Sequence, residues 1–207
     1  MQSFIATLAV GAAGLYASWA LTDGWQAFTS ETARRLAVKY TPRLLPDVAL
    51  ESHRAHPLAF ADLRGHIVVA DFVYTSCATV CASLGTTFRE LAQLLAPEIE
   101  REEVLLLSLS LDRGRDTPDA LRRYLIRYGA GASWLAARPV AQADADQLQR
   151  AFGVVAIPDG RGDIVHNAAL YVIDATGRLR GIRGIEEWPR VVEDVRGLIA
   201  KQDVAHR

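Results

Sequence analysis

Ile67-Val68-Val69-Ala70-Asp71-Phe72-Val73-Tyr74-Thr75-Ser76-Cys77-Ala78-Thr79-Val80-Cys81 is the stretch from which the fold is read. Its first eight residues form a near-continuous β-branched and aromatic run, the composition of a central strand covered on both faces. Thr75-Ser76 then leads into a segment reaching to about Leu95. There Leu84, Phe88, Leu91, Leu94 and Leu95 recur at helical spacing. The two cysteines of the chain therefore stand where a buried strand hands over to a helix N-terminus.

Working downstream, Val104 to Leu111 (VLLLSLSL) predicts a second buried strand. Thr117-Pro118 predicts a helix start, with Thr as cap and Pro at the first helical position. Leu121, Tyr124, Leu125 and Tyr128 supply that helix's apolar stripe, and Gly129 ends it. Trp134-Leu135 reads as a short strand and Ala143 to Phe152 as a helix. Ala168–Asp174 and Arg178–Arg183 flank the hairpin turn Ala175-Thr176-Gly177, and Glu187 to Lys201 reads as a terminal amphipathic helix. Upstream, Asp47–Ser52 and Pro57–Ala61 resemble two short strands around a His53–His56 turn. Strand–helix–strand alternation requires a parallel core, and the late hairpin adds antiparallel strands. The expected class is α/β, a thioredoxin-like mixed sheet flanked by helices, with an N-terminal β-hairpin extension.

The N-terminus differs in kind. Phe4 to Leu21 carries no charge and is close to the roughly 20 residues that cross about 30 Å of hydrocarbon. Tyr16, Trp19 and Trp25 cluster at its far end, where amphipathic rings favour the headgroup layer. Residues 1–22 are thus expected to be a membrane-spanning anchor or a signal. Ser18-Trp19-Ala20 offers a possible cut site, while Met-Gln-Ser lacks the positive charge usual for a signal. A buried globular helix is the third alternative. Charge alone leaves the orientation open. Residues 23–43 turn polar and read as a juxtamembrane stalk, Pro42 and Pro46 mark the boundary, and 44–207 is the folded domain.

Composition narrows the function. The 207 residues include 23 basic and 24 acidic ones, for a net charge of −1, and half are hydrophobic. Near-neutral charge gives no support for wrapping a polyanion, so no nucleic-acid partner is expected. Two cysteines exclude a disulfide-dense scaffold and a four-cysteine zinc or iron–sulfur cage. The preference for arginine over lysine (only Lys39 and Lys201) is that of a GC-rich prokaryotic genome.

At a helix N-terminus, free backbone N–H groups and the helix dipole favour thiolate over thiol. Spacing i, i+4 puts Cys77 and Cys81 on one face of a first turn. Such a pair is a dithiol/disulfide couple, a soft-metal site, or two inert buried cysteines. Thioredoxin-type exchange typically has two intervening residues, and here there are three. Two thiolates alone are an incomplete metal site. Copper(I) accepts a third soft or borderline ligand, for which imidazole is the natural candidate. His206 lies in the tail, and His53, His56 and His66 lie in early loops. His166 stands just before the strand Ala168–Asp174, after a Gly- and Pro-rich loop long enough to bend over a site.

Three motifs carry a resemblance to a known family. Phe72–Cys81 resembles the F-x-Y-T-x-C-x-x-x-C signature of the Sco/SenC copper-binding proteins that assemble cytochrome c oxidase. Ser108–Asp112 with Arg115-Asp116-Thr117-Pro118 resembles the family's S-x-D-P-x-R-D-T-P stretch. His166, then Tyr171-Val172-Ile173-Asp174 and Gly177, resembles its H-x-x-x-x-Y-L-x-D-x-x-G block. The resemblance runs from about Pro46 to the C-terminal helix, with the motifs in order. It departs at Ala82, where the family usually has Pro, at Arg113 in place of the Pro of Asp-Pro, and at Val165-His166-Asn167 in place of Asp-His-Ser/Thr.

The resemblance implies a thioredoxin-like domain anchored in the bacterial inner membrane, facing the periplasm. Cys77, Cys81 and His166 would bind a copper ion there. Asp112 would stand beside the ligands or face a partner, carboxylate being a poor match for copper(I). The implied partner is the copper-binding subunit of cytochrome c oxidase or another copper protein, and the implied role is metallochaperone for the copper A centre. The alternative is a membrane-anchored thiol–disulfide oxidoreductase that uses Cys77 and Cys81 to reduce partner cysteines.

Overall fold

The computed structural model describes residues 2–22, 24–26, 28–77 and 80–205, with side chains for all of these except residues 2–6, 8, 9, 80–82 and 205. The chain forms two compact units, Met1–Thr41 and Pro42–Arg207. The first holds α1 (Gln2–Leu21) and α2 (Ser30–Tyr40). Helix α1 bears no charge, and Thr29 caps α2 by accepting a hydrogen bond from the Thr32 amide. The spanning segment expected over residues 1–22 falls partly on side chains outside the described set. Among the described residues, no helix is long and apolar enough to cross a membrane.

The second unit runs β1 (Arg43–Leu44), β2 (Ala49–Ser52), β3 (Pro57–Ala59), β4 (Ile67–Val73), α3 (Val80–Leu94), α4 (Ala96–Glu100), β5 (Val104–Ser110), α5 (Pro118–Tyr128), β6 (Trp134–Pro139), α6 (Gln142–Phe152), β7 (Ala156–Pro158), β8 (Ile164–His166), β9 (Leu170–Ile173), β10 (Arg178–Arg183) and α7 (Trp188–Ala205). Eight strands make one mixed sheet in the order β1-β10-β9-β4-β5-β6-β2-β3. Parallel pairs β4–β5 and β5–β6 form its centre, β9 joins β4 antiparallel, and the β2–β3 hairpin is added to β6. This is the thioredoxin-like plan with an N-terminal hairpin that the alternation required.

The sheet's two faces are built differently. On one, Ile67, Val69, Leu106 and Val172 pack with Leu84, Phe88 and Leu91 of α3, Leu95 just after it, Leu121 of α5 and Val195 of α7. Each such fully buried side chain contributes about 1.5–3 kcal/mol. On the other, Phe72, Tyr171 and Phe152 of α6 meet edge-on at 5.0–5.6 Å between ring centres. Leu94, expected in the apolar stripe, is instead exposed at the end of α3. Gly129 closes α5 at φ 69°, a left-handed conformation that glycine adopts without a Cβ penalty.

Local readings shift in four places. Trp134 begins a strand of six residues, because β6 must serve both β5 and β2. Arg43–Leu44 adds a short edge strand on β10. The α3 segment is followed by a separate turn of helix around Pro97, which cannot continue the preceding ladder. Finally, the Gly- and Pro-rich loop before His166 is a two-stranded ribbon, β7–β8, with Ala156 paired to His166. Its turn is closed by Asp159, which accepts from the amides of Arg161 (2.7 Å) and Asp163 (2.9 Å).

Candidate metal and thiol site

β4 delivers its last residues to one end of the sheet. The Cys77 amide donates to the Tyr74 carbonyl (3.1 Å), and the described helix starts at Val80. Cys77 precedes the described helix and Cys81 lies within it; the shared first turn expected from their spacing depends on Ala78 and Thr79 and so falls outside the described residues. Cys77 is buried, with 8% of its surface exposed. Ala78 and Thr79, and the Cys81 side chain, lie outside the described residues. Among the described residues, no group of three His, Cys, Asp or Glu side chains is placed to hold a metal ion.

Tyr74 is the hub that the motif reading quoted but gave no role. Its ring meets the His166 imidazole edge-on at 6.2 Å, and its hydroxyl donates to Asp163 at 3.5 Å. Burial, then the adjacent Cys77 sulfur, pushes its phenol up to about 12. His166 and Cys77, 89 residues apart, thus share one aromatic side chain. Both ring nitrogens of His166 are shut off from solvent and have no hydrogen-bond partner among the described residues. Buried polar atoms are nearly always paired, so an imidazole with no described partner is a candidate ligand. Burial also lowers its pKa, favouring the neutral form that has a lone pair to offer.

The residues around this core are held by a network whose importance the sequence did not show. Asp116, fully buried, accepts from the Thr75 amide (2.9 Å), the Thr75 hydroxyl (2.6 Å) and the Ser110 hydroxyl (2.6 Å). Burial raises its pKa, and Ser110 and Thr75 act in the other direction. Asp112 lies on the same turn, where its carboxylate pairs with Arg115. Asn167, one of the departures from the motif, accepts from the Val155 amide (2.7 Å) and donates to the Gly153 carbonyl (3.0 Å), fixing the base of the ribbon. The other histidines do different work. His53 accepts from the Ala136 amide at 3.4 Å, so one ring nitrogen is satisfied within the hairpin region.

This is the architecture of a thioredoxin-like protein with a cysteine pair at a strand–helix junction and a histidine at the end of a separate ribbon, Cys77 and His166 each meeting the Tyr74 side chain. The sequence model of the SCO1/SenC family matches residues 39–200, and the chain belongs to that family. A Stutzerimonas stutzeri protein whose name proposes copper binding is 30% identical over 148 residues, covering 67% of this chain and 68% of its own. In structure, a SCO1/SenC family lipoprotein from Bacillus anthracis superposes with a TM-score of 0.69 at 23% identity, over 77% of this chain and 98% of that one. Bradyrhizobium japonicum ScoI, solved with copper bound, gives 0.63 at 19% identity, over 75% and 99%.

Proposed function

We propose that the chain is a copper metallochaperone that binds one copper(I) through Cys77, Cys81 and His166 and supports assembly of the copper A centre of cytochrome c oxidase. The observation that carries this reading is the half-buried imidazole of His166, whose two shielded nitrogens have no partner among the described residues and which is set against the tyrosine that also contacts Cys77. Two thiolates and one neutral imidazole are a donor set suited to copper(I), here the protein's cargo. Both sulfurs must be reduced and deprotonated to bind, so metal loading depends on thiol redox state. Family membership and the copper-bound relative support the same cargo.

In this reading residues 1–22 anchor the chain in the bacterial inner membrane, 23–43 are a stalk, and 44–207 face the periplasm, where a copper-binding oxidase subunit or another copper protein receives the metal. The charge-free sequence of α1, with Tyr16 and Trp19 towards its end and Trp25 beyond it, supports the anchor. Thiol–disulfide exchange on partner cysteines is the second reading, favoured by the position of Cys81 in the first turn of α3, where the dipole stabilises thiolate. Copper(I) titration of the full, reduced chain separates the two. The chaperone reading expects one equivalent bound, weakened in His166→Ala and abolished in Cys77→Ser. Disulfide turnover by metal-free protein that survives His166→Ala, with no copper retained by wild type, would favour the exchange reading.

A further inference from the structure

The two halves of the site are far apart in sequence, yet adjacent residues of one turn grip both of them. Asp116 binds the cysteine half through the Thr75 amide and hydroxyl. Arg115, the residue before it, donates from Nη2 to the Gly162 carbonyl at 2.6 Å, at the tip of the ribbon that ends in His166. We propose that the Asp112–Asp116 turn is a clasp, and that Arg115 is a positioning residue that keeps His166 over the cysteines. This inference rests on the copper-binding reading above.

The turn is stiff enough for that task. The amides of Arg115 (3.1 Å) and Asp116 (2.9 Å) both donate to the Asp112 carbonyl, and the Asp112 amide donates to the Ser110 hydroxyl (3.0 Å). The Asp112 carboxylate pairs with the Arg115 Nε, directing the other end of the guanidinium outward to the ribbon. This gives Asp112 a role: it aims Arg115. The ribbon accepts the grip because Gly162 has φ 107°, a backbone region that favours glycine, and a Cβ there would stand 3.2 Å from Arg115 Nη1. Beside this contact, Tyr74 ties the ribbon to the domain through Asp163 at 3.5 Å and the backbone of Ile164. A charge-assisted bond from a guanidinium to a carbonyl is a directional tie on an otherwise lightly held element.

The test is a double-mutant cycle on the full chain, with copper(I) affinity read by competition against a chromophoric chelator. Arg115 is half-exposed, so Arg115→Ala leaves the core intact. Arg115→Ala is expected to weaken copper(I) by roughly tenfold in the wild-type background and to have no effect in the His166→Ala background, because the arginine acts through the histidine. An equal loss in both backgrounds, or none in either while His166→Ala alone weakens binding, overturns the clasp and leaves the copper reading standing. Wild-type affinity retained in His166→Ala would instead remove the three-ligand reading on which the clasp depends.

Discussion

Cys77 follows β4, whose seven residues are all buried, whereas His166 ends β8, a three-residue strand with exposed neighbours on a two-stranded ribbon. The cysteine half is welded into the central sheet: β4 pairs on both sides, and Asp116 ties the following turn down from within the core. The histidine half has its base fixed by Asn167 and its tip held by Arg115 and Tyr74. Few buried apolar contacts and exposed backbone hydrogen bonds place an element at the low-stability end of local opening. Cys77 is thus held at the end of a buried central strand, whereas His166 sits on a small ribbon tied down at fewer points.

The largest effect should come from attacking the rigid half. Asp116→Ala strands three donors in the core and is expected to cost about 2–4 kcal/mol of unfolding free energy, checked by urea denaturation of the full chain. A loss below about 1 kcal/mol would mean that the cysteine turn is not pinned as described and would erase the contrast between the halves.

The next concerns pH and again belongs to the strand that carries the cysteines. Asp71, buried in β4 opposite Ser108, has its carboxyl pushed up to about 7 by burial, with the Ser108 hydroxyl holding back part of the rise. Between the ordinary carboxylate range and pH 7, the folded chain keeps a proton that the unfolded chain has lost. Stability therefore falls as pH rises through that window and levels off above about 7. Relative to Asp71→Asn, the wild type should lose a few kcal/mol between about pH 4 and pH 8, measured by denaturation at stepped pH. A difference between the two that does not change with pH would show that Asp71 does not titrate in this range.

The smallest global effect is expected on the ribbon half. Asn167→Ala removes two hydrogen bonds at the base of the ribbon and should change unfolding free energy by no more than about 1 kcal/mol. Limited proteolysis should nevertheless cut faster between residues 154 and 166. Unchanged cleavage there would show the ribbon to be as firmly held as the sheet.

What the sequence reveals follows the same division. The central strand, the cysteine junction, the second strand and the late hairpin are legible because a run of β-branched residues or a Thr-Pro cap needs no distant partner to be read. Thr117 does cap α5, and Gly129 does end it. The β7–β8 ribbon is not legible, because its stability rests on turn hydrogen bonds at Asp159 and its composition is that of a loop. His166 stands out by its place in the chain, but the isolation of its ring nitrogens depends on packing against Tyr74. Asp116 and Arg115 lie 41 and 47 residues from the groups they hold, so only tertiary structure shows that one turn grips both halves. The neighbouring Asp112, singled out from the motif, is found bound to Arg115.

The central proposal is that the two cysteine sulfurs and the imidazole carried by the ribbon bind one metal together. X-ray absorption at the copper edge, recorded on the copper(I)-loaded full chain and on its His166→Ala variant, tests it directly. Two sulfur scatterers and one imidazole nitrogen are expected in the wild type, with the nitrogen and its ring scattering gone from the variant. Superimposable spectra from the two proteins would contradict the claim, leaving a copper site, if any, that does not use His166.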